Sequence, residues 1–455
     1  MTINDNNEIR NLFVNKKYKE IINISSIEGN FNDAVSINIL SLSYLNIGNY
    51  EKSISILKEA ISKYGEDISL LNNLGNAYRI VGLFDDAIKA FEQAIDINSN
   101  SYETYNNLGL VHKDKKNLRK ASEYFKKAVE INPKSYQSYN NLGLIERSLG
   151  NKVDAEEFFK KAINIETGYD SAIESLANLY KENKEYVKAI SYYKKTKSKH
   201  KYGQVLECLF ALQDLEKFSF ELNEIMKIDR LNIRVAAITN YVSQQTGIKN
   251  IYPFCRDPLE YIYQRNLLIN LDNEDISLNQ ISNEANKLEH IWEPNGSSVK
   301  KGYRTIGFNL FDGQEKNHLL SKVKNLMENE IENYLDEFSN KKDLIIKKFP
   351  KSYNLVGWHV RLSSGGNQSS HIHPDGWLSG IFYLKIPSNT KENEGKLKLS
   401  IHGYNYKIIN ENIAEKIISP NEGDIVIIPS SLFHQAIPYY SDENRECIAF
   451  DVIPN

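Results

Sequence analysis

The C-terminal third of the chain contains side chains suited to holding a metal ion. His373 and Asp375 are two residues apart, so on a β-strand they would point to the same face and could bind one ion. His434 follows 61 residues after His373, at the end of an apolar segment that begins at Gly423. Two imidazoles and one carboxylate on one side of a metal leave its other side open. This is the ligand set of non-haem Fe(II) oxygenases.

The order of these residues resembles a known enzyme class. His-x-Asp, then His434, then Arg445 after 11 more residues is similar to the pattern of Fe(II)/2-oxoglutarate dioxygenases. A closer resemblance is to bacterial 2-oxoglutarate/Fe(II) oxygenases that often carry tetratricopeptide repeats, and it covers about residues 290–455. Three segments carry it: Trp377-Leu-Ser-Gly-Ile-Phe-Tyr, Gly423-Asp and Pro429-Ser-Ser-Leu-Phe-His. The resemblance implies a double-stranded β-helix (jelly-roll) fold with flanking helices.

The resemblance also implies a role for each side chain. His373, Asp375 and His434 would hold Fe(II), and 2-oxoglutarate would bind beside it as the cosubstrate. Arg445 would bind the distal carboxylate of 2-oxoglutarate, because a guanidinium can hold a carboxylate through two parallel hydrogen bonds. Tyr383 would add a hydrogen bond from its phenol. The implied reaction consumes O₂, releases succinate and CO₂, and hydroxylates a C–H bond of the substrate.

One ligand is left open by the sequence. In the resembling family the characteristic motif is His-x-His-Pro, here His371-Ile-His-Pro374, and the residue at 375 is less characteristic than the two histidines. His371 shares a strand face with His373 and could replace the carboxylate. The usual presence of a carboxylate in non-haem Fe(II) oxygenases favours Asp375 over His371. His359 and His402 are interpreted as structural histidines.

Short strands must position these residues. From about Tyr353 the sequence consists of β-branched and aromatic runs separated by Gly, Pro, Ser and Asn, which predicts an all-β roll or barrel. Helices are predicted at about 259–270, 280–292 and 315–338. The predicted strands are Asn354–Leu362, Leu378–Ile386, Lys396–Ile401, Asp424–Ile428 and Cys447–Val452.

The N-terminal part of the chain has a 34-residue period. The pair Leu74-Gly75 recurs at 108–109 and 142–143, and small and aromatic positions keep the same step. The pattern resembles tetratricopeptide repeats, which are pairs of antiparallel helices that stack into a superhelix with a concave groove. It is best at 34–203, with a degenerate pair at about 5–30. The recurring residues are Ala87, Ala121, Ala155 and Ala189, with Phe91, Phe125, Phe159 and Tyr193.

Three asparagines, Asn73, Asn107 and Asn141, precede the Leu-Gly pairs in phase. In tetratricopeptide superhelices this position looks over the groove, and the row resembles the one that lines O-linked N-acetylglucosamine transferases. An amide there can donate to and accept from the backbone of an extended peptide. The other interpretation is that these asparagines are only solvated polar residues. The row therefore predicts, but does not establish, a protein or peptide partner.

The length of 455 residues predicts more than one domain. We expect a repeat array at 1–203, a helical connector at 204–274 and the oxygenase-like domain at 275–455. The net charge of −3 argues against a nucleic-acid or membrane-surface binder, and no signal or membrane-spanning segment is evident. Three cysteines cannot form a disulfide framework, which favours a reducing, cytoplasmic location.

Two function classes follow. The first is an Fe(II)/2-oxoglutarate dioxygenase that hydroxylates a protein or peptide held by the repeats, although the sequence does not separate a protein from a small-molecule substrate. The second is a non-catalytic interaction scaffold with a degenerate metal-binding barrel. A zinc hydrolase is a minor third option, because zinc accepts the same kinds of ligand.

Overall fold

The structure is a computed structural model that describes residues 6–25, 31, 33–288, 290–294, 297–305, 309–311, 318–388 and 390–455. Contacts between residues divide the chain into two compact units, Met1–Leu179 and Tyr180–Asn455. The first unit is helical, and the second combines helices with an antiparallel sheet. The predicted fold class, an all-α repeat array followed by a strand-rich domain, is confirmed. Within the described residues no helix has the length and apolar character that a bilayer span requires.

The first unit consists of antiparallel helix pairs. The pair predicted at 5–30 is present as two short helices whose buried Ile9 and Ile21 pack against the next pair. The helices of the first unit are α1 Asn6–Val14, α2 Tyr18–Ser25, α3 Ala34–Asn46, α4 Tyr50–Tyr64, α5 Ile68–Ile80, α6 Phe84–Ile97, α7 Tyr102–Asp114, α8 Leu118–Ile131, α9 Tyr136–Leu149, α10 Lys152–Ile165 and α11 Asp170–Glu182. Helix α11 extends into the second unit.

One contact explains the recurring Leu-Gly pair. A Cβ atom placed on Gly109 would lie 2.6 Å from the ring of Phe125, which is closer than real Cβ contacts allow. The same 2.6 Å approach occurs between Gly75 and Phe91 and between Gly143 and Phe159. Glycine therefore lets the aromatic ring of the second helix in each pair lie directly on the backbone of the first. The period in the sequence is the period of this contact.

The second unit begins with helices that pack on the sheet domain. The carboxylate of Glu207 is buried, accepts two hydrogen bonds from Arg234 at 2.7 and 2.9 Å, and accepts a third from Tyr406 at 3.2 Å. Tyr241 and Gln245 bond to backbone carbonyls of Lys407 and Asn410. The helices are α12 Tyr186–Tyr193, α13 Lys201–Ala211, α14 Leu215–Ile228 and α15 Ile233–Thr246.

The contact boundary and the predicted domain limits describe different properties. The predicted limits at 203 and 274 follow the loss of repeat phase and the start of the strand pattern. The contacts instead place α12 to α15 in the same unit as the sheet, because side chains of α13 and α15 bond to residues 406–410. The three-part division remains a prediction about sequence character.

The sheet is antiparallel throughout, and its order is β1-β8-β5-β10-β4-β9-β6-β7, with β3 on β4 and β2 on β3. The structure thus confirms a strand-rich antiparallel domain, and the double-stranded β-helix stays a prediction. The strands are β1 Tyr263–Asn266, β2 His290–Trp292, β3 Val299–Thr305, β4 Tyr353–His371, β5 Leu378–Lys385, β6 Leu397–Ser400, β7 Glu415–Ile418, β8 Asp424–Pro429, β9 Phe433–Ala436 and β10 Arg445–Pro454; the flanking helices are a 3₁₀ turn Pro258–Tyr261, α16 Leu268–Asn273, α17 Leu278–Asn286, α18 His318–Glu337 and α19 Leu344–Lys347.

The prediction of a helix at 259–270 is wrong for the central residues of this segment. Residues Tyr263–Asn266 form strand β1, which pairs with β8 in antiparallel register, Tyr263 opposite Ile427 and Asn266 opposite Asp424. The apolar spacing of this segment also fits a helix. Its conformation is decided by an open sheet edge about 160 residues later in the chain, which a local pattern cannot reveal.

Candidate metal centre

The pairing of β4 with β9 brings three histidines together at one place in the sheet. His371, the last residue of β4, lies directly opposite His434 on β9. His373 follows two residues later, and its ring centroid is 5.0 Å from that of His371 and 4.9 Å from that of His434. One ring nitrogen from each residue lies within 4.8 Å of the others. Among the described residues, this is the group with the geometry to share a metal ion.

The second nitrogen of each imidazole is occupied by an acceptor. Nδ1 of His373 lies 2.5 Å from Oδ1 of Asp451, and Nδ1 of His371 lies 2.7 Å from the carbonyl oxygen of Ser369. Nδ1 of His434 lies 3.2 Å from the carbonyl oxygen of Leu432. These partners accept only, which assigns the proton to Nδ1 and the lone pair to Nε2. Metal-binding histidines are held in this way by a carboxylate or carbonyl behind the ring.

Two of the imidazoles, those of His371 and His434, are also held in the neutral form that binds metals. Burial, and then the charge of neighbouring His373, lowers the pKa of His371 to about 4. Burial, and then His371 and His373, lowers the pKa of His434 well below its ordinary value. His371 and His434 are therefore neutral at physiological pH. Metal binding requires this protonation state. The hydroxyl of Ser298 lies 3.3 Å from Nε2 of His371, and a metal ion would take its place.

Asp375 has different surroundings. Its side chain is 62% exposed, and its Oδ1 lies 3.0 Å from Nζ of Lys199 and 3.7 Å from Nε2 of His200. Both partners belong to the segment that joins α12 to α13. The structure thus brings together His373, His434 and the alternative ligand His371, while the carboxylate of Asp375 faces Lys199.

Asp451 is a site residue that the sequence did not single out. It lies on β10 opposite Ser379 of β5, whose hydroxyl donates to Oδ1 of Asp451 at 2.8 Å, and the same Oδ1 accepts from His373. The side chain is buried. A signal was present, because Asp451 interrupts the apolar run Cys447-Ile-Ala-Phe-Asp-Val of the last strand. A carboxylate in a buried strand needs a partner.

A cavity of about 530 Å³ opens beside the histidines. His371, His373 and Asp451 line one side of it, and Arg304 and Trp358 line another. The cavity is large enough for a small molecule or a side chain. Asp375 also lines the cavity, and its ion pair with Lys199 places the segment between α12 and α13 next to it.

Arg445 and Tyr383 form a second polar group on the same face of the sheet. Arg445 and Asp451 are six residues apart on β10. Because side chains alternate between the two faces of a strand, residues an even number apart lie on the same face. Both Arg445 and Tyr383 are buried; Nη2 of Arg445 lies 3.3 Å from the phenol oxygen, and Nη1 has no hydrogen-bond partner among the described residues. Burial raises the pKa of Tyr383 to about 12 despite the opposing charge of Arg445, so the phenol stays neutral and can donate.

These two residues fit a carboxylate. A buried guanidinium nitrogen without an acceptor is costly to leave unsatisfied, and an anion with two oxygens satisfies it best. The orphaned Nη1 of Arg445 beside a neutral phenol is therefore suited to the distal end of 2-oxoglutarate.

In the array, the predicted asparagine row is partly buried and partly bonded. Nδ2 of Asn73 donates to Asn38 at 2.6 Å, and Nδ2 of Asn141 donates to Asn106 at 3.0 Å. Each acceptor lies one repeat earlier. Asn107 is also partly buried but forms no hydrogen bond through its side chain within the described residues. Of the three predicted partner-binding residues, Asn107 has the amide most available to a ligand.

Family models match two separate parts of the chain. The family described as "Putative 2OG-Fe(II) oxygenase" matches residues 357–451. Tetratricopeptide repeat families match residues 34–62, 66–134 and 101–166. No curated protein is significantly similar to the chain.

Several solved structures are similar to part of the chain. The chain is similar to MamA, with 24% identity over 40% of this chain and 96% of that one and a TM-score of 0.31. It is similar to Pseudomonas aeruginosa pilF, with 17% identity over 48% and 96% and a TM-score of 0.37. It is also similar to a thermophilic TPR protein of Thermus thermophilus, with 20% identity over 42% and 98% and a TM-score of 0.33. The family models thus identify tetratricopeptide repeats at residues 34–62 and 66–166 and a domain of the "Putative 2OG-Fe(II) oxygenase" family at residues 357–451.

Proposed function

We propose that this protein is an Fe(II)- and 2-oxoglutarate-dependent oxygenase whose metal is held by His371, His373 and His434. The observation that carries the proposal is the convergence of three imidazoles that each offer one nitrogen atom within 4.8 Å of the others. Each is oriented by an acceptor on its other nitrogen. This set uses the alternative ligand His371 in place of Asp375, which the sequence had favoured.

A three-histidine set lacks the negative charge that a carboxylate ligand supplies. Asp451 supplies a negative charge behind one of the ligands, because its carboxylate accepts a hydrogen bond from Nδ1 of His373 at 2.5 Å. A carboxylate behind a ligating imidazole raises the basicity of the ring and fixes its orientation. We therefore expect Asp451→Asn to weaken Fe(II) binding by about 10- to 100-fold without abolishing it.

The cosubstrate would lie between the metal and Arg445. Arg445 would bind the distal carboxylate of 2-oxoglutarate through its unpaired Nη1, and Tyr383 would donate from its phenol. Bound iron with 2-oxoglutarate supplies the oxidation of a C–H bond by O₂. The chain's own contribution is to orient the cosubstrate, to exclude water from the buried end and to hold the substrate in the adjacent cavity.

The substrate would be a protein or peptide that the repeat array captures. Support comes from the repeat families at residues 34–166, which form partner-binding surfaces in general. The open amide of Asn107 is suited to a peptide backbone. All three cysteines are buried and free, which fits the reducing, cytoplasmic location expected from the sequence.

An anaerobic titration tests the proposal. Adding Fe(II) and 2-oxoglutarate together to the full-length protein should produce a visible metal-to-ligand charge-transfer band, which neither addition produces alone. Exposure to O₂ should then release succinate. Absence of the band with intact, folded protein would exclude the oxygenase.

The three-histidine set also favours a second candidate, because it is the ligand set of some catalytic zinc sites. A zinc hydrolase would retain Zn(II) in preference to Fe(II) and would bind no 2-oxoglutarate at Arg445. Calorimetric titration of 2-oxoglutarate into the Zn(II)-loaded protein separates the two functions: binding that depends on Arg445 supports the oxygenase, and no binding supports the hydrolase.

A further inference from the structure

A second arginine, Arg304, lines the cavity next to the histidines. Arg304 lies on β3 opposite Val360 of β4. Val360 and Trp358 are two residues apart on β4, so the side chains of Arg304 and Trp358 are on the same face of the sheet. Its guanidinium carbon is 4.4 Å from the centroid of the Trp358 ring. Stacking on an indole fixes the plane of the guanidinium and leaves its edge free to form hydrogen bonds.

The guanidinium of Arg304 lacks the partner that comparable arginines have. Arg234, also largely buried, forms two hydrogen bonds with the carboxylate of Glu207. Nε of Arg304 is buried without a hydrogen-bond partner among the described residues, and the nearest acidic influence on the guanidinium is the longer-range charge of Asp451. Burial lowers the pKa of Arg304, although an arginine so placed remains charged at neutral pH. A buried, unpaired cation is costly unless something binds it.

The two carboxylates near the cavity are already engaged. Asp451 accepts from His373 and Ser379, and Asp375 pairs with Lys199. The charge of Asp451 acts on Arg304 at longer range, but neither carboxylate forms a hydrogen bond with the guanidinium, whose buried Nε has no acceptor among the described residues. One guanidinium neutralises a monoanion but not a phosphate dianion, and its two parallel N–H groups match the two oxygens of a carboxylate. Gln368 and Ser298 also line the cavity and can add neutral hydrogen bonds.

From these contacts we infer that Arg304 is the anchor for a carboxylate of the substrate, distinct from Arg445, which binds the cosubstrate. This inference rests on the proposed function and deepens it by naming an acidic substrate. The carboxylate belongs either to an aspartate or glutamate side chain or to the C-terminus of a peptide. Anchoring it on Arg304 holds the neighbouring carbon atoms in the cavity beside His371 and His373.

Three short probes test the inference in the full-length protein loaded with Zn(II) and 2-oxoglutarate: acetyl-Ala-Glu-Ala-amide, its glutamine analogue, and acetyl-Ala-Ala-Ala with a free C-terminus. Calorimetry should show that one or both carboxylate peptides bind at least about tenfold more tightly than the glutamine peptide. Which of the two binds identifies the source of the carboxylate. Equal binding of all three, or binding of none, would overturn the inference.

Variants of Arg304 then assign the effect. Arg304→Gln should remove the preference for carboxylate peptides, and Arg304→Lys should restore it only in part, because an ammonium lacks the planar fork. Arg361→Gln is the matched control, because Arg361 stacks on Tyr303 at 4.8 Å and donates to Asn286 but does not line the cavity. Retention of the preference in Arg304→Gln would overturn the inference.

A 2-oxoglutarate titration separates this inference from the proposed function. Arg304→Gln should leave the affinity for 2-oxoglutarate unchanged. If it weakens that affinity as Arg445→Ala does, Arg304 binds the cosubstrate and the inference is wrong. If the wild-type protein binds no 2-oxoglutarate, the proposed function fails. The peptide preference, repeated without metal and cosubstrate, then still decides whether Arg304 anchors carboxylates.

Discussion

The repeat array and the oxygenase domain are built from contacts of different range. In the array, one glycine–aromatic contact recurs at Gly75, Gly109 and Gly143, each time with a phenylalanine 16 residues later. In the domain, His371 lies opposite His434 only because β4 and β9 pair with a register shift between Gln368 and His371. The array can therefore be read from a local period, whereas the metal centre depends on which distant strands pair and how.

The largest expected effect is at the contact that joins helices to the sheet domain. Arg234→Met removes two hydrogen bonds to the buried carboxylate of Glu207, which keeps Lys181 as its remaining cation. Because each hydrogen bond to a charged group contributes about 1.5–3 kcal/mol, the free energy of unfolding of the second unit should fall by about 3–5 kcal/mol. Burial alone would raise the pKa of Glu207, but the charges of Arg234 and Lys181 outweigh it and hold the pKa at about 2. This stabilisation is complete above the ordinary glutamate pKa and is lost as pH falls towards 2.

Denaturant unfolding at neutral pH measures this loss, with the exposed Arg230→Met as control. If Arg234→Met unfolds like the wild-type protein, the helices α13 and α15 do not stabilise the sheet domain. The predicted connector at 204–274 would then behave as an independent segment.

The next largest effect concerns cosubstrate binding. Arg445→Ala should keep the metal but weaken 2-oxoglutarate binding by about thirtyfold or more, because removing one partner of a buried charge pair costs about 2–5 kcal/mol. Arg445→Lys should recover only part of the affinity. Calorimetry on the metal-loaded protein measures both. An unchanged affinity in Arg445→Ala would remove this residue from the site.

A substitution in the array sharpens the comparison through its regularity. Gly109→Ala places a Cβ 2.6 Å from the ring of Phe125 and should cost about 1–3 kcal/mol of unfolding free energy. Gly75→Ala and Gly143→Ala should cost similar amounts, since the contact is the same. Gly168→Ala is the control, because its nearest neighbour would be an ordinary 3.6 Å away. Widely different costs at the three glycines would show that the repeats are not equivalent.

The smallest expected effect is on partner binding. Asn107→Ala should weaken binding of an extended peptide, selected from a random library on the wild-type protein, by about 0.5–1.5 kcal/mol, without a loss of stability. Asn141→Ala should lower both binding and stability, because its amide is bonded to Asn106. Fluorescence anisotropy and thermal unfolding measure the two quantities. Equal peptide affinity in Asn107→Ala would mean that the asparagine row does not line the binding surface.

The sequence predicted most of what local patterns control. The repeat phase located the helix pairs, and β-branched runs located the strands that carry the site. It failed at Tyr263–Asn266, where a distant sheet edge overrides a helical spacing. It could not identify Arg304 or Asp451 as neighbours of the histidines, because strand pairing brings them there from distant parts of the chain. Arg304 is 67 residues before His371, and Asp451 is 78 residues after His373.

The choice between Asp375 and His371 shows the same limit. Both lie two residues from His373, so spacing does not distinguish them. Only the usual ligand preference of Fe(II) then favours Asp375. The structure adds two facts that spacing lacks: His371 is paired with His434, and Asp375 is paired with Lys199. These contacts favour the three-histidine site of our proposal.

Metal retention in a pair of variants tests the central claim most directly. Fe(II) binding is measured by anaerobic equilibrium dialysis of full-length Asp375→Ala and His371→Ala, with circular dichroism to verify folding. Our account predicts that Asp375→Ala binds one equivalent of Fe(II) with wild-type affinity and that His371→Ala loses it. The opposite result, with iron kept by His371→Ala and lost by Asp375→Ala, would contradict the three-histidine site and restore the His-x-Asp set.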